Sequence, residues 1–526
     1  MNNANNDQKL IANAPLYRKI GFFSAILMVI GSAIGAGIFF KSSTVLSNSG
    51  NNLIFAIISW IVAAVAIVAL GLALIEITSS QNDNLGMIGW NKTFSNKHIY
   101  KMCKNFMVFI SLPLTYFYMP FYFIMSFQDG LTGFGLQNNF GTNVDWLIWL
   151  LIVLLISAWF ILVPGIFSKI GNYHNWVIMA VKFIPLVVAS VLGFVVMYIE
   201  GHAENLDITH TKWITQINPE TTFFKISPLI GIFGSLAAIF FAYDGFYLTA
   251  GIQTEMKNPK KLPLAIIIGI GIITFLYLII AISMSLGTKG GSFSGFGDWL
   301  KSKNAGWVFG VVNIAIAFGV LGIINGYSMW GPRFLEHLMK TNELYCPTKW
   351  KNKFSDETPI IGGILSMILT IIPVVSLTII GALAYIPGQD YIGVYEREDS
   401  NSMASLYTFV DLISTWLSVI AFIFLATAII GGLKNRRTNK IKTVKSRFFV
   451  PSAIIAIVIV FISMIISIIQ PFVDLALAIH YQNHESIIGN LMLIIVFVAF
   501  LIIMLIPSLY EWIKSKRTKK PVFVKI

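Results

Sequence analysis

Apolar stretches near 20 residues recur along the whole chain from Ile20 to Tyr510, and polar residues collect in the segments between them. About 20 residues is the length a helix needs to cross a bilayer. The pattern predicts twelve spans, at roughly 20–46, 53–79, 105–128, 146–163, 174–199, 228–256, 263–286, 306–332, 359–386, 404–433, 450–473 and 488–510. With lipid as solvent, each span must close its own backbone hydrogen bonds as a helix. The fold class is therefore an all-α integral membrane protein.

Two of the spans carry features that a plain spanning helix avoids. Span 1 contains Gly31-Ser32-Ala33-Ile34-Gly35-Ala36-Gly37-Ile38-Phe39, with three glycines in seven positions. Each glycine destabilises a helix interior by roughly 1 kcal/mol relative to alanine. Gly31 and Gly35 could serve close helix packing as a G-x-x-x-G pair. Alternatively the run is a break, exposing N–H groups at mid-depth to an anionic group. Span 6 reads Phe240-Phe241-Ala242-Tyr243-Asp244-Gly245-Phe246-Tyr247 and is interrupted near its middle by an acid and a glycine. Spans 1 and 6 each open a set of five, and interruptions at matching places in two halves point to a transporter site. Because the second set starts inward, the two repeats are inverted.

That reading divides the chain into an N-terminal tail (1–19), repeat 1 (20–199), an external loop (200–227) and repeat 2 (228–433). A basic loop (434–449), spans 11 and 12 (450–510) and a C-terminal tail (511–526) follow. Composition agrees: the 526 residues are 56% hydrophobic and 12% charged, where about 25% charged is ordinary. The net charge of +13 sits mainly in alternate loops. With the N-terminus inside, 29 Lys and Arg residues are cytoplasmic and 6 external, with Lys41 and Lys182 inside spans, a strong positive-inside bias. The basic charge thus reports topology in a cell membrane, with both termini cytoplasmic, and not nucleic-acid binding. Cys103 and Cys346 both fall on the cytoplasmic side and are expected as free thiols.

Ionisable residues inside spans usually face the protein interior and mark function. Glu76 lies one turn from the end of span 2, where function competes with snorkelling or a simple pairing to a loop lysine. Lys182 lies nine residues into span 5, too deep for its stem to reach an interface. Asp411 in span 10 reads equally as a gate or a snorkelling acid. Tyr116, Tyr118 and Tyr122 form an aromatic stripe in span 3, fit for packing or for a pocket. No HExxH, P-loop or Cys/His metal spacing occurs, and Gly35-x-Gly37 lacks the strand–turn–helix context of a dinucleotide site. Nothing indicates an enzyme, a cofactor or a bound metal.

At four places the sequence resembles the amino acid–polyamine–organocation superfamily of secondary transporters. They are GSAIGAGIF at 31–39, SKIGNYHNWVIMAVK at 168–182, FFAYDGFYL with TEMKNPKKLPLAI across 240–266, and INGYSMWGPR closing span 8. The resemblance implies a LeuT-like five-plus-five inverted repeat with broken helices 1 and 6 and two appended helices. It further implies an amino acid held by Ser32, Ala33, Gly35, Ala36, Gly37 and Ile38 of span 1. Phe240, Phe241, Ala242, Tyr243, Asp244 and Gly245 of span 6 complete that site, with Phe241 an aromatic gate. The dipoles agree: N–H groups opening the outer half of span 1 suit a carboxylate, and carbonyls closing the outer half of span 6 suit an ammonium. The family often has an acid two residues after the span-6 glycine; here that position is Tyr247 and the acid is Asp244.

Lys182 matches a lysine that some proton-coupled members carry, expected against the broken part of span 1. Span 8 offers no hydroxyl over 311–324 to ligate sodium. The expected function is uptake of an amino acid coupled to H+ by alternating access. An amino acid, metabolite or polyamine exchanger remains open, as does an amino-acid sensor, which longer tails would favour. Substrate identity and oligomeric state are not legible.

Overall fold

The computed structural model describes residues 21–33, 35, 37–80, 85–206, 217–219, 221–247, 257–258, 261–351, 353–355, 358–385 and 402–518. The N-terminal tail, Ala36, most of the acidic loop 387–403 and span 6 from Leu248 to Met256 lie outside these residues. Among the described residues every regular element is helical. Ten helices among the described residues are long and apolar enough to cross a membrane. The main elements are α1 (Phe22–Ala33), α2 (Gly37–Asn48), α3 (Leu53–Thr78), α4 (Met87–Phe94), α5 (Lys97–Phe106), α6 (Leu112–Gly133) and α7 (Asp145–Leu162). They continue as α8 (Ser168–Val181), α9 (Phe183–Glu200), α10 (Pro228–Ala242), α11 (Leu262–Gly287) and α12 (Gly306–Lys340). The last four are α13 (Ile360–Leu383), α14 (Ser402–Thr438), α15 (Phe449–His480) and α16 (His484–Thr518).

Two packed groups organise these helices. α1 and α3 pack on α11, and α2 and α3 on α10. α12, α13 and α6 pack on one another, with α7 against them. α14 touches both groups, meeting α3 and α10 on one side and α6 and α13 on the other. The interrupted spans are thus gathered in one group, facing the second across α14.

Proline explains most departures from the expected boundaries. Span 5, expected as one helix, is divided between α8 and α9 around Lys182. Pro185 has no N–H for the Val181 carbonyl and its ring crowds that oxygen. Span 8, expected to stop at Pro332, runs on to Lys340. Pro332 frees the Ser328 carbonyl, and the adjacent Arg333 guanidinium braces this turn, donating to Met329 O at 2.8 Å and Gly165 O at 2.9 Å. Pro120 likewise frees the Tyr116 carbonyl, which accepts from Ser157 Oγ at 3.2 Å. Span 3 starts earlier than expected, at Lys97, and widens into a π turn over Met107–Ser111 just ahead of Pro113. The segment expected as loop 80–104 holds α4 and α5. α15 passes through Pro471 to His480.

Glu76 is a clasp between helices. Its carboxylate accepts from Arg436 Nε at 2.7 Å and Arg436 Nη2 at 2.6 Å, and from the Ser446 N–H at 2.8 Å. It ties the end of α3 to the end of α14 and the segment that follows, through an arginine and not a loop lysine.

Candidate functional site

The two interruptions face each other. α1 ends at Ala33 and α2 begins at Gly37, while α10 ends at Ala242. A Cβ built on Gly37 would lie 2.7 Å from Ala242 Cα, so the two backbones meet where only glycine fits. A Cβ on Gly35 would lie 2.9 Å from Ile323 Cδ1 of α12. Past Ala242 the chain turns, and Gly245 adopts φ +96°, a conformation that disfavours side chains. The break in span 1 presents the positive end of α2, and the break in span 6 the negative end of α10, so charges of opposite sign suit the two.

Broken helices leave N–H and C=O groups unpaired, and in a membrane these need partners. Tyr277 of α11 serves both breaks. Its hydroxyl donates to Ala242 O at 3.1 Å and accepts from the Gly35 backbone. Sequence reasoning missed this residue, although a tyrosine amid Phe275-Leu276 and Leu278-Ile279-Ile280 was a visible signal.

The expected site residues separate into three sets. Gly35, Gly37 and Ala242 meet at the breaks. Ser32 and Ala33 form the last turn of α1, Ile38 is buried in the first turn of α2, and Ala36 lies outside the described residues. Phe240 and Tyr243 point away from the meeting point. Phe240 stacks on Phe422 of α14 at 4.5 Å. Tyr243 packs on Trp60 and Tyr277, at 6.4 and 5.2 Å between centroids, and donates to Thr274 Oγ1 at 2.9 Å.

Phe241 lies under an ion pair that joins α2 to α14. The Lys41 ammonium is fully buried and reaches Asp411 Oδ1 at 2.6 Å, Asp411 O at 2.9 Å, Ser414 Oγ at 2.9 Å and Thr415 Oγ1 at 2.8 Å. It sits 4.8 Å from the Phe241 ring centroid, a cation–π distance. Tyr122 of α6 donates to Asp411 Oδ1 at 2.8 Å, and its ring stacks on Phe40 at 4.2 Å. Tyr118 and Tyr122 lie 6.0 and 5.9 Å from Phe241. Tyr118 and Tyr122 thus join the site, whereas Tyr116 bonds to Ser328 of α12, and Asp411 is a partner of Lys41 instead of a snorkelling acid. The signal for Lys41 was a lone cation one turn beyond the glycines.

Lys182 stands between α8 and α9 and lines a small gap with Gly35, Phe39, Pro185, Ala315, Ile316 and Gly319. The amine-bearing residue therefore borders the break in span 1 across from α12. Asp244 accepts from the Gly245 N–H at 2.9 Å and from the Tyr247 hydroxyl, which in turn accepts from Tyr327 of α12.

Helices interrupted in pairs around a buried, polar meeting point define a membrane transporter fold. Residues 20–500 match the family model described as amino acid permease, and the chain belongs to that family, within the amino acid–polyamine–organocation superfamily. Its members are transporters and not enzymes. An uncharacterized protein of Mycoplasma pneumoniae is 45% identical over 94% of each chain. The serine/threonine exchanger SteT of Bacillus subtilis is 25% identical, over 60% of this chain and 67% of its own. The branched-chain amino acid permease BcaP of Bacillus subtilis is 26% identical, over 59% and 64%. The crystal structure of MhsT in complex with L-phenylalanine aligns at TM-score 0.50 and 14% identity, covering 84% of this chain and 98% of that one.

Proposed function

We propose that the protein imports an amino acid across the cell membrane by alternating access, coupled to protons through Lys182. The observation that carries this is the near contact of Gly37 and Ala242, which sets the positive end of α2 beside the negative end of α10. A zwitterion fits such a pair: its carboxylate at Gly35, Ala36, Gly37 and Ile38, its ammonium at the carbonyls around Phe240–Tyr243. Relatives named for serine and threonine or for branched-chain amino acids support an amino acid as cargo. Twelve spans, ten of them in two inverted sets of five, with both termini cytoplasmic, complete the architecture; the 29 to 6 loop bias supports that orientation.

The Lys41–Asp411 pair above Phe241 acts as the outer closure. It joins the group holding both breaks to α14, so releasing it opens the site on that side. Lys182 acts beside the break: an amine that gives up its proton in one conformation and rebinds it in the other biases the exchange between them. The exchanger reading has one specific support, a relative that is itself named an exchanger. In that case Lys182 keeps its charge and couples nothing.

The test is accumulation of radiolabelled amino acids in sodium-free proteoliposomes under an inward proton gradient. The parent is expected to concentrate substrate and Lys182→Ala to lose the gradient-driven part while retaining exchange. Equal accumulation by both removes Lys182 from coupling, and strict sodium dependence of the parent refutes the proposal.

A further inference from the structure

We propose that Asp244 and the tyrosines around it form the side-chain pocket of the substrate site, and that the pocket selects a cationic amino acid of the lysine, ornithine or arginine class. This rests on the reading of the paired breaks as the place that holds the substrate's main chain.

Asp244 lies two residues beyond Ala242, on the turn that follows α10. A carboxylate taken from water must be compensated by donors or by a cation. Its partners are the Gly245 N–H and the Tyr247 hydroxyl. Among the described residues no lysine, arginine or histidine pairs with it: Lys41 is committed to Asp411, and Arg436 to Glu76. A carboxylate offers about four acceptor positions, so two donors leave capacity for a ligand. The hydroxyls are ordered toward it, Tyr327 donating to Tyr247 and Tyr247 to Asp244. Tyr118 stands beside all three and contacts Phe241, linking this pocket to the roof of the main-chain site.

The arrangement faces open space. Asp244 and Tyr327 are half-buried although they lie within the helix bundle. A Cβ built on Gly326, next to Tyr327, would meet nothing within 4 Å. The three tyrosines come from α6, from the turn after α10 and from α12, so the pocket is bounded by three separate spans. An apolar side chain placed here would cover the carboxylate without supplying a donor, and a site whose polar groups go unpaired rejects such a ligand strongly. An acidic side chain would add like charge. An ammonium or guanidinium supplies both charge and donors, and the rings of Tyr118 and Tyr327 can cover its stem.

The experiment measures binding to the purified full chain by ligand-induced rise in melting temperature, with L-lysine, L-ornithine, L-arginine, L-leucine, L-serine and L-glutamate as probes. The parent is expected to bind the three cationic amino acids tightest. Asp244→Asn is expected to weaken them about 100-fold, the scale of losing a charge-assisted pair, while L-leucine changes by less than about threefold. Tyr327→Phe, which keeps the ring, guards against a misfolded Asp244 variant and should weaken the same three about tenfold. Tightest binding of L-leucine or L-serine by the parent overturns the proposal. So does an Asp244→Asn loss that is equal for all six probes, since that assigns Asp244 to the main chain. Absence of binding by every probe overturns the reading of the breaks themselves, a result distinct from the other two.

Discussion

The Lys41–Asp411 pair allows a prediction that separates an ion pair under strain of burial from a decorative contact. Lys41→Met keeps the length of the stem and removes the ammonium; Asp411→Asn keeps the shape and removes the charge. Breaking a buried pair by removing one partner destabilises by about 3–5 kcal/mol, because the other charge is left uncompensated. The two partners differ in what they retain. The Asp411 side chain keeps 16% exposure and the Tyr122 hydroxyl at 2.8 Å, so Lys41→Met should fall near the lower figure. Lys41 has 0% exposure and would keep only neutral oxygens and the Phe241 ring, so Asp411→Asn should fall near the upper one. The double variant buries no unpaired charge and should be milder than Asp411→Asn alone, a coupling of at least about 3 kcal/mol. Equilibrium unfolding of the parent, both single variants and the double variant in mixed detergent micelles completes the cycle. Additive losses, or a milder effect of Asp411→Asn than of Lys41→Met, would refute the reasoning.

Gly37→Ala places a methyl carbon 2.7 Å from Ala242 Cα, and backbone cannot rotate aside. Overpacking of this kind destabilises by about 1–3 kcal/mol, and the parting of the two breaks should abolish amino-acid binding in the fraction that folds; unchanged melting temperature and affinity would count against the close approach. For Glu343, in the connection after α12, burial pushes the carboxyl up, but the Tyr100 hydroxyl with Lys92 and Lys104 outweighs it and holds the group below the usual range. Such a carboxyl adds stability above its unfolded value of about 4.3, and that stability is lost as pH falls through the lower folded value. The parent should therefore lose melting temperature below about pH 4 more steeply than Glu343→Gln; equal slopes would exclude the ion cluster as the cause. For orientation, cysteines placed at Asn138 and Ser402 should react with an impermeant thiol reagent from outside, and labelling from the cytoplasm alone would invert the topology.

Membrane residence, the positions of the apolar runs and the two interruptions were legible in the sequence because each is local. A run of 20 apolar residues needs no partner to be recognised, and glycines at 31, 35 and 37 conflict with helix propensity wherever the chain goes. Helix ends were less legible, because a proline's effect depends on who satisfies the carbonyl it frees. Ser157 does so for Tyr116, and Arg333 braces the turn at Pro332 through Met329 and Gly165, so those helices continue, whereas at Pro185 the helix is interrupted. What only the tertiary structure decided is which charges and hydroxyls meet. Lys41 and Asp411 are 370 positions apart, and Glu76 and Arg436 360. No periodicity relates such pairs, so Glu76 as a clasp and Asp411 as the partner of Lys41 could not be separated beforehand. The same holds for Tyr277, which joins both breaks, and for Tyr243, which the packing of Trp60 and Thr274 turns away from them. Sequence spacing shows where a membrane helix must fail; the packing of distant helices determines what stands opposite the failure.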